Sequence, residues 1–181
     1  MKVANWEEYV SSLGGKTPER GMSAFHARFK LADSMRSIEA PGVATKSLNT
    51  YSSLCKLGLS YATLEHLENL LGIDGRPAII ASDLCQKVRA TWPSGFEIIV
   101  SKMKVNGKLL LRLENLFNTD SAADVRPLAE TLRHSIFHGN FTPFGWKLQS
   151  QEALVWIDGL SQVTLRMADQ TFTTWFKSLG T

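Results

Sequence analysis

The sequence predicts an all-α fold, a bundle of helices packed around one core. Three observations carry this expectation. Apolar residues recur at steps of three and four through most of the chain, and glycines and prolines punctuate the ends of those runs. Only residues 96–117 offer a pattern that could also pair as strands. With 181 residues, 44% hydrophobic and 20% charged, the chain is long enough to bury a single core, so one domain over residues 1–181 is expected.

The first helix is expected from Trp6 to about Leu13, with Trp6, Tyr9, Val10 and Leu13 on one side and Gly14-Gly15 after it. A second runs from Met22 to Ile38, placing Phe25, Phe29, Ala32 and Met35 at helical spacing, with Pro41-Gly42 closing it. His26 flanks that stripe and reads as a packed or surface histidine. The longest pattern spans about Thr45 to Leu71, where Leu57, Tyr61, Leu64, Leu67 and Leu71 form a stripe stopped by Gly72. This is the expected central helix. Glu65 falls beside the stripe, either as a solvated glutamate or as a half-buried carboxylate that orients a neighbouring side chain.

Pro77 fits the first turn of a helix reaching about Thr91, with Ile80, Leu84 and Val88 inward and Pro93-Ser94-Gly95 as its boundary. In residues 96–117, Asn106-Gly107 could be the turn of a β-hairpin. The spacing of Leu109, Leu110, Leu113, Leu116 and Phe117, together with good helix formers, instead favours two short helices broken at Asn106-Gly107. The next helix should start from about Ala123, with Asp120 and Ser121 as N-cap types, and end at Gly139-Asn140 before Pro143. Residues Phe141 to Trp146 read as an aromatic loop that either plugs the bundle end or offers a base-stacking platform. A last helix is expected over about Gln149 to Leu179, its stripe passing from Ala153, Trp156 and Leu160 to Phe172, Trp175 and Leu179.

The chemistry is concentrated in residues 132–140, which hold Arg133 and two of the chain's four histidines, His134 and His138. Val125, Leu128, Ala129, Leu132 and Ile136 turn one helix face to the core, while Glu130, His134 and His138 stack at four-residue steps on another. Arg133 and His138 are five residues apart, about 140° of rotation, so one straight helix separates them. Arginine's length, an unwound last turn or a second copy of the chain could bring them together.

The pattern Arg133-His134-x-x-x-His138 resembles the R-x4-6-H signature of the HEPN family, in which a polar residue often follows the arginine. The flanking 127–132 and 139–143 are similar as well, and Tyr61-Ala62-Thr63-Leu64-Glu65 resembles a helix that faces the motif with an acidic residue in some members. The resemblance implies an up-and-down HEPN-like bundle with additional short helices, forming a homodimer with the motif helices near its two-fold axis. It further implies a metal-independent endoribonuclease of stress or phage defence that leaves a cyclic phosphate, with RNA and an antitoxin or regulatory protein as partners.

In that reading Arg133 binds the phosphate, His138 is the general acid or base, and His134 orients or carries a second proton. Lys147, Trp146 and Asn140 would contact substrate, and Glu65 and Glu130 would support the motif. The rival is a catalytically silent HEPN-like module that binds RNA, a nucleotide or a partner protein. Family toxins often carry a tyrosine two residues beyond the motif histidine. Asn140 stands there instead, so control by adenylylation of that tyrosine is not expected.

A zinc site on His134, His138 and Glu130 is disfavoured, because the pattern is not H-E-x-x-H and Arg133 opposes a dication, so no metal is expected. No cofactor is expected either, and nucleotide hydrolysis, dinucleotide redox and esterase chemistry have no foothold, because G-x-x-x-x-G-K-[ST], G-x-G-x-x-G and G-x-S-x-G are all missing from the sequence. The net charge of +3 permits a polyanion without demanding one; Arg126, Arg133 and Lys147 are candidates for a basic surface. Runs such as Leu109-Leu110-Leu111 are too short to cross a bilayer. Cys55 and Cys85 form no C-x-x-C pair, and the first residues lack the apolar core of a signal peptide, so reduced thiols and a cytoplasmic location are expected.

Overall fold

The computed structural model describes residues 1–118 and 123–180. Among them the chain forms eight α-helices and no strand: α1 Trp6–Ser12, α2 Arg20–Ser34, α3 Thr45–Leu70, α4 Ser82–Thr91, α5 Gly95–Lys102, α6 Gly107–Asn118, α7 Arg126–Phe137 and α8 Gln151–Ser178. The two long helices, α3 and α8, pack on each other; α2 and α7 flank α3, and α4 lies against α8. All eight contribute to one apolar cluster, with Leu54, Leu57, Tyr61, Leu64 and Leu67 of α3 meeting Trp156, Leu160, Leu165, Ala168 and Phe172 of α8. Thr50, Ser60 and Thr63 of α3 and Ser161 and Thr164 of α8 are buried too. Each bonds the carbonyl four residues earlier, which satisfies its hydroxyl within its own helix and leaves small side chains where helices approach.

The Asn106-Gly107 ambiguity resolves as two helices. Asn106 accepts the Leu109 amide at 2.9 Å, so its side chain opens α6 rather than turning a hairpin. Ser150 does the same for α8, accepting the Ala153 amide at 3.1 Å.

Two segments differ from expectation. Helix α2 stops at Ser34 rather than Ile38, because Met35 is extended and the Ile38 amide donates to Ser52 Oγ at 2.8 Å. Pro77 does not open α4, which begins only at Ser82. Residues 79–81 instead pair with the approach to α7, the Ala81 amide donating to the Ala123 carbonyl and the Val125 amide to the Ile79 carbonyl. That pairing turns Ile80 outward, 69% exposed, although its spacing pointed inward.

Asp124 secures the same junction, its Oδ1 accepting the Ile79 and Arg126 amides at 3.0 Å each. The anticipated caps Asp120 and Ser121 lie outside the described residues. Among the described residues no helix is long and apolar enough to cross a membrane.

Candidate functional site

Helix α7 starts with Pro127 in its first turn, where a missing amide hydrogen costs nothing. It buries Leu128, Ala129, Leu132 and Ser135. Its end is a paired C-cap: Gly139 adopts φ 71°, its amide donates to the Ile136 carbonyl at 3.2 Å, and the Asn140 amide donates to the Ser135 carbonyl at 3.0 Å. The Asn140 carbonyl in turn accepts Trp146 Nε1 at 3.1 Å. Asn140, anticipated as a substrate contact, therefore spends its backbone on the helix stop and keeps only its side chain for a ligand. Phe137 lies across the α3 backbone at Gly58, where a Cβ would stand 2.8 Å from the ring. A Cβ there would push the ring aside, so glycine lets it sit this close.

The structure brings Arg133 to Glu65 of α3, with Nη2 3.0 Å from Oε2. The guanidinium also lies over the Tyr61 ring, 5.7 Å from its centroid. Arg76, from the loop after α3, joins the same group by bonding Glu130 at 2.5 Å and Glu65 at 3.3 Å. The result is a chain of alternating charges, Glu130, Arg76, Glu65, Arg133, along the seam between α3 and α7. Glu130 thus makes its ion pair with Arg76.

His134 and His138 are exposed, and their rings meet at 4.1 Å between centroids with 41° between planes. The imidazole of His134 titrates below its ordinary value, first through partial desolvation and then through His138 and Arg133, with Glu130 opposing. Two cations in contact repel, so the pair is better suited to holding one proton than two. Among the described residues no three His, Cys, Asp or Glu side chains converge as a metal ligand set.

Three sequence-level candidates take other positions. Arg126 is no part of a basic surface: it is completely buried, and its Nη1 and Nη2 reach the two carboxylate oxygens of the buried Glu68 while Nη1 also donates to the Pro77 carbonyl at 2.9 Å. Burial opposes its charge, but the Glu68 pairing prevails and its pKa lies above the ordinary arginine value.

Trp146 is also fully buried, ring against Phe141, Trp92 and the chain behind it, so neither face is open to a base. The loop that reads as either plug or platform is a plug, with Phe141, Trp146 and Leu148 inside and Phe144 alone outside among its large apolar residues. Lys147 is exposed at φ 53°, and among the described residues no hydrogen bond or ion pair joins its side chain to the motif.

Arg76 and Lys104 are the residues that spacing missed. Arg133 borders two clefts. One, about 490 Å³, is walled by Arg28, Ala62, Glu65 and Asn69. The other, about 270 Å³, lies between α7 and the α5–α6 connection, lined by Arg76, Lys104, Val105, Glu130 and His134. No lone sequence signal marks either residue; Arg76 follows the turn pair Asp74-Gly75, and Lys104 lies between two helices. Comparison with models of protein families, with curated proteins and with solved structures gives no match to this chain.

Proposed function

We propose that the protein is a metal-independent endoribonuclease of HEPN type. The observation that carries this reading is the contact between the exposed rings of His134 and His138 one turn apart at the end of α7, beside an arginine braced by a carboxylate. Metal-free cleavage of RNA needs a base for the 2′-hydroxyl, an acid for the 5′-oxygen and a cation for the phosphorane. His134, held toward its neutral form, takes the 2′-hydroxyl proton; the oxygen attacks phosphorus, the P–O5′ bond breaks, and His138 protonates the departing oxygen. A 2′,3′-cyclic phosphate is left. Arg133 neutralises the charge that develops on the non-bridging oxygens.

In this reading a homodimer completes the site, with the two α7 ends near a two-fold axis. Phe137, inside the motif, and Phe144, six residues after it, are 60% and 83% exposed and supply apolar surface for such a contact. RNA is the substrate. A stress- or phage-defence role, an antitoxin or regulatory partner and a cytoplasmic setting follow from the family resemblance.

A second reading is favoured by the Glu65–Arg133 ion pair, which already neutralises the phosphate-binding cation: a silent HEPN-like module that binds RNA, a nucleotide or a partner protein through the same seam. Incubation of the purified protein with mixed RNA in excess EDTA, alongside His138→Ala and Arg133→Ala, separates the two. Cleavage by the wild type and loss in both variants is the expected result. RNA binding without cleavage by the wild type overturns the nuclease reading in favour of the silent module.

A further inference from the structure

The cleft between α7 and residues 103–109 carries chemistry that the motif itself does not use. One wall is apolar, built by Met103, Val105 and Leu109, all half-buried and packed on the core. The opposite rim brings Arg76 and Arg133 together with the carboxylates of Glu130 and Glu65, and Lys104, on the wall's own segment, adds a third cation. Lys104 is exposed and belongs to no ion pair among the described residues.

Asn106 also lines the cleft. Its side-chain oxygen is committed to the Leu109 amide, which leaves its NH₂ as a donor without that duty. Arg76 keeps φ 45°, a conformation that L residues rarely hold, at the lip of this cleft. An apolar wall, a hydrogen-bond donor and neighbouring cations are parts that can hold a nucleobase and its phosphate. At about 270 Å³ the cleft falls just below the roughly 300–1,000 Å³ of pockets for drug-sized ligands, in keeping with one nucleotide unit.

We infer that this cleft is a nucleotide subsite, seating the base of one nucleotide against Met103 and Val105 with its phosphate on Lys104 and Arg76, next to the phosphate that Arg133 holds. The inference rests on the proposed ribonuclease reading for its direction along an RNA strand. The ligand chemistry, a nucleoside monophosphate unit, is shared by RNA and by a free nucleotide.

The test uses 2′-O-methyl pentanucleotides, which lack the attacking hydroxyl and are bound without being cut, with free 5′-AMP and 5′-UMP as separate arms. Binding is followed by backbone-amide NMR shifts and by a salt titration, on the full chain and on the variants Val105→Trp, which fills the cleft, and Lys104→Ala, which leaves its shape. The expected result is that the oligonucleotide shifts the amides of residues 103–109, that Val105→Trp weakens binding about tenfold, and that Lys104→Ala lowers the salt slope by about one.

Tighter binding of a free nucleotide than of the oligonucleotide supports the subsite and makes the free nucleotide its ligand. Seating of the oligonucleotide in the cleft, with unmodified RNA left intact by the wild type, supports the subsite and removes only the nuclease. RNA cleavage with an unchanged product pattern in Val105→Trp overturns the subsite and leaves the nuclease standing. Unchanged affinity in both variants, or no shift in residues 103–109, also overturns it.

Discussion

Glu65 and Arg133 face each other across the seam between α3 and α7, oxygen to nitrogen at 3.0 Å, and neither is fully buried. An ion pair this exposed contributes about 0–1 kcal/mol to stability. Its larger effect is to fix which way the guanidinium points. Glu65→Gln should therefore shift unfolding by less than about 1 kcal/mol while lowering single-turnover RNA cleavage by about tenfold, with KM little changed. A thermal melt and single-turnover kinetics check the two halves, and unchanged cleavage removes the positioning role.

The Arg126–Glu68 pair behaves in the opposite way, because both partners are out of water. Removing one leaves the other charged and unpaired, so Arg126→Met or Glu68→Leu should each destabilise by about 3–5 kcal/mol. The double variant should recover most of that loss. Urea unfolding of the three variants measures the cycle, and additive losses would show that the pair is not coupled.

His134 is held below its ordinary value by desolvation first and by His138 and Arg133 next. The folded state thus binds fewer protons than the unfolded chain just below pH 6.5, so this histidine's contribution to stability is lost as pH falls through its folded value. Replacing His138 with Gln removes one of the lowering charges. NMR titration of the His134 ring should then show its midpoint moving up toward 6.5, part of the way only, since desolvation persists. A midpoint that stays put would mean the two rings do not interact in solution.

Arg76 combines a left-handed backbone at φ 45° with bonds to Glu65 and Glu130. Arg76→Ala loses the bonds and keeps the strain; Arg76→Gly loses the bonds and relieves it. The glycine variant should be the more stable of the two by about 1 kcal/mol. Equal melting of the two variants would show that the backbone there is unstrained.

Much of the helical order was legible, for identifiable reasons. Gly14-Gly15, Gly72 and Gly139-Asn140 each follow the end of a helix, and the three- and four-residue stripes of α3 and α7 are the faces that are buried. What escaped depends on partners distant in sequence. Pro77 looks like a helix start on local grounds, but residues 79–81 gain more by pairing with 123–125. Arg126 and Arg133 are alike as letters seven apart on one helix. Only the carboxylates opposite them, Glu68 in the interior and Glu65 at the rim, make one a scaffold charge and the other a site charge. Arg76 and Lys104 come from loops, where spacing carries no periodic information about what they will face.

Helix α3 places those two carboxylates three positions apart, one locked to the start of α7 and the other to its last turns. A single extra residue between Thr50 and Tyr61 would rotate both by about 100° relative to the upstream half of the rod. Both arginines would lose their counterions at one stroke. Architecture and chemistry therefore share one phase along this rod: an insertion or deletion between Thr50 and Tyr61 disturbs both ion pairs together, whereas a point change at either glutamate disturbs one.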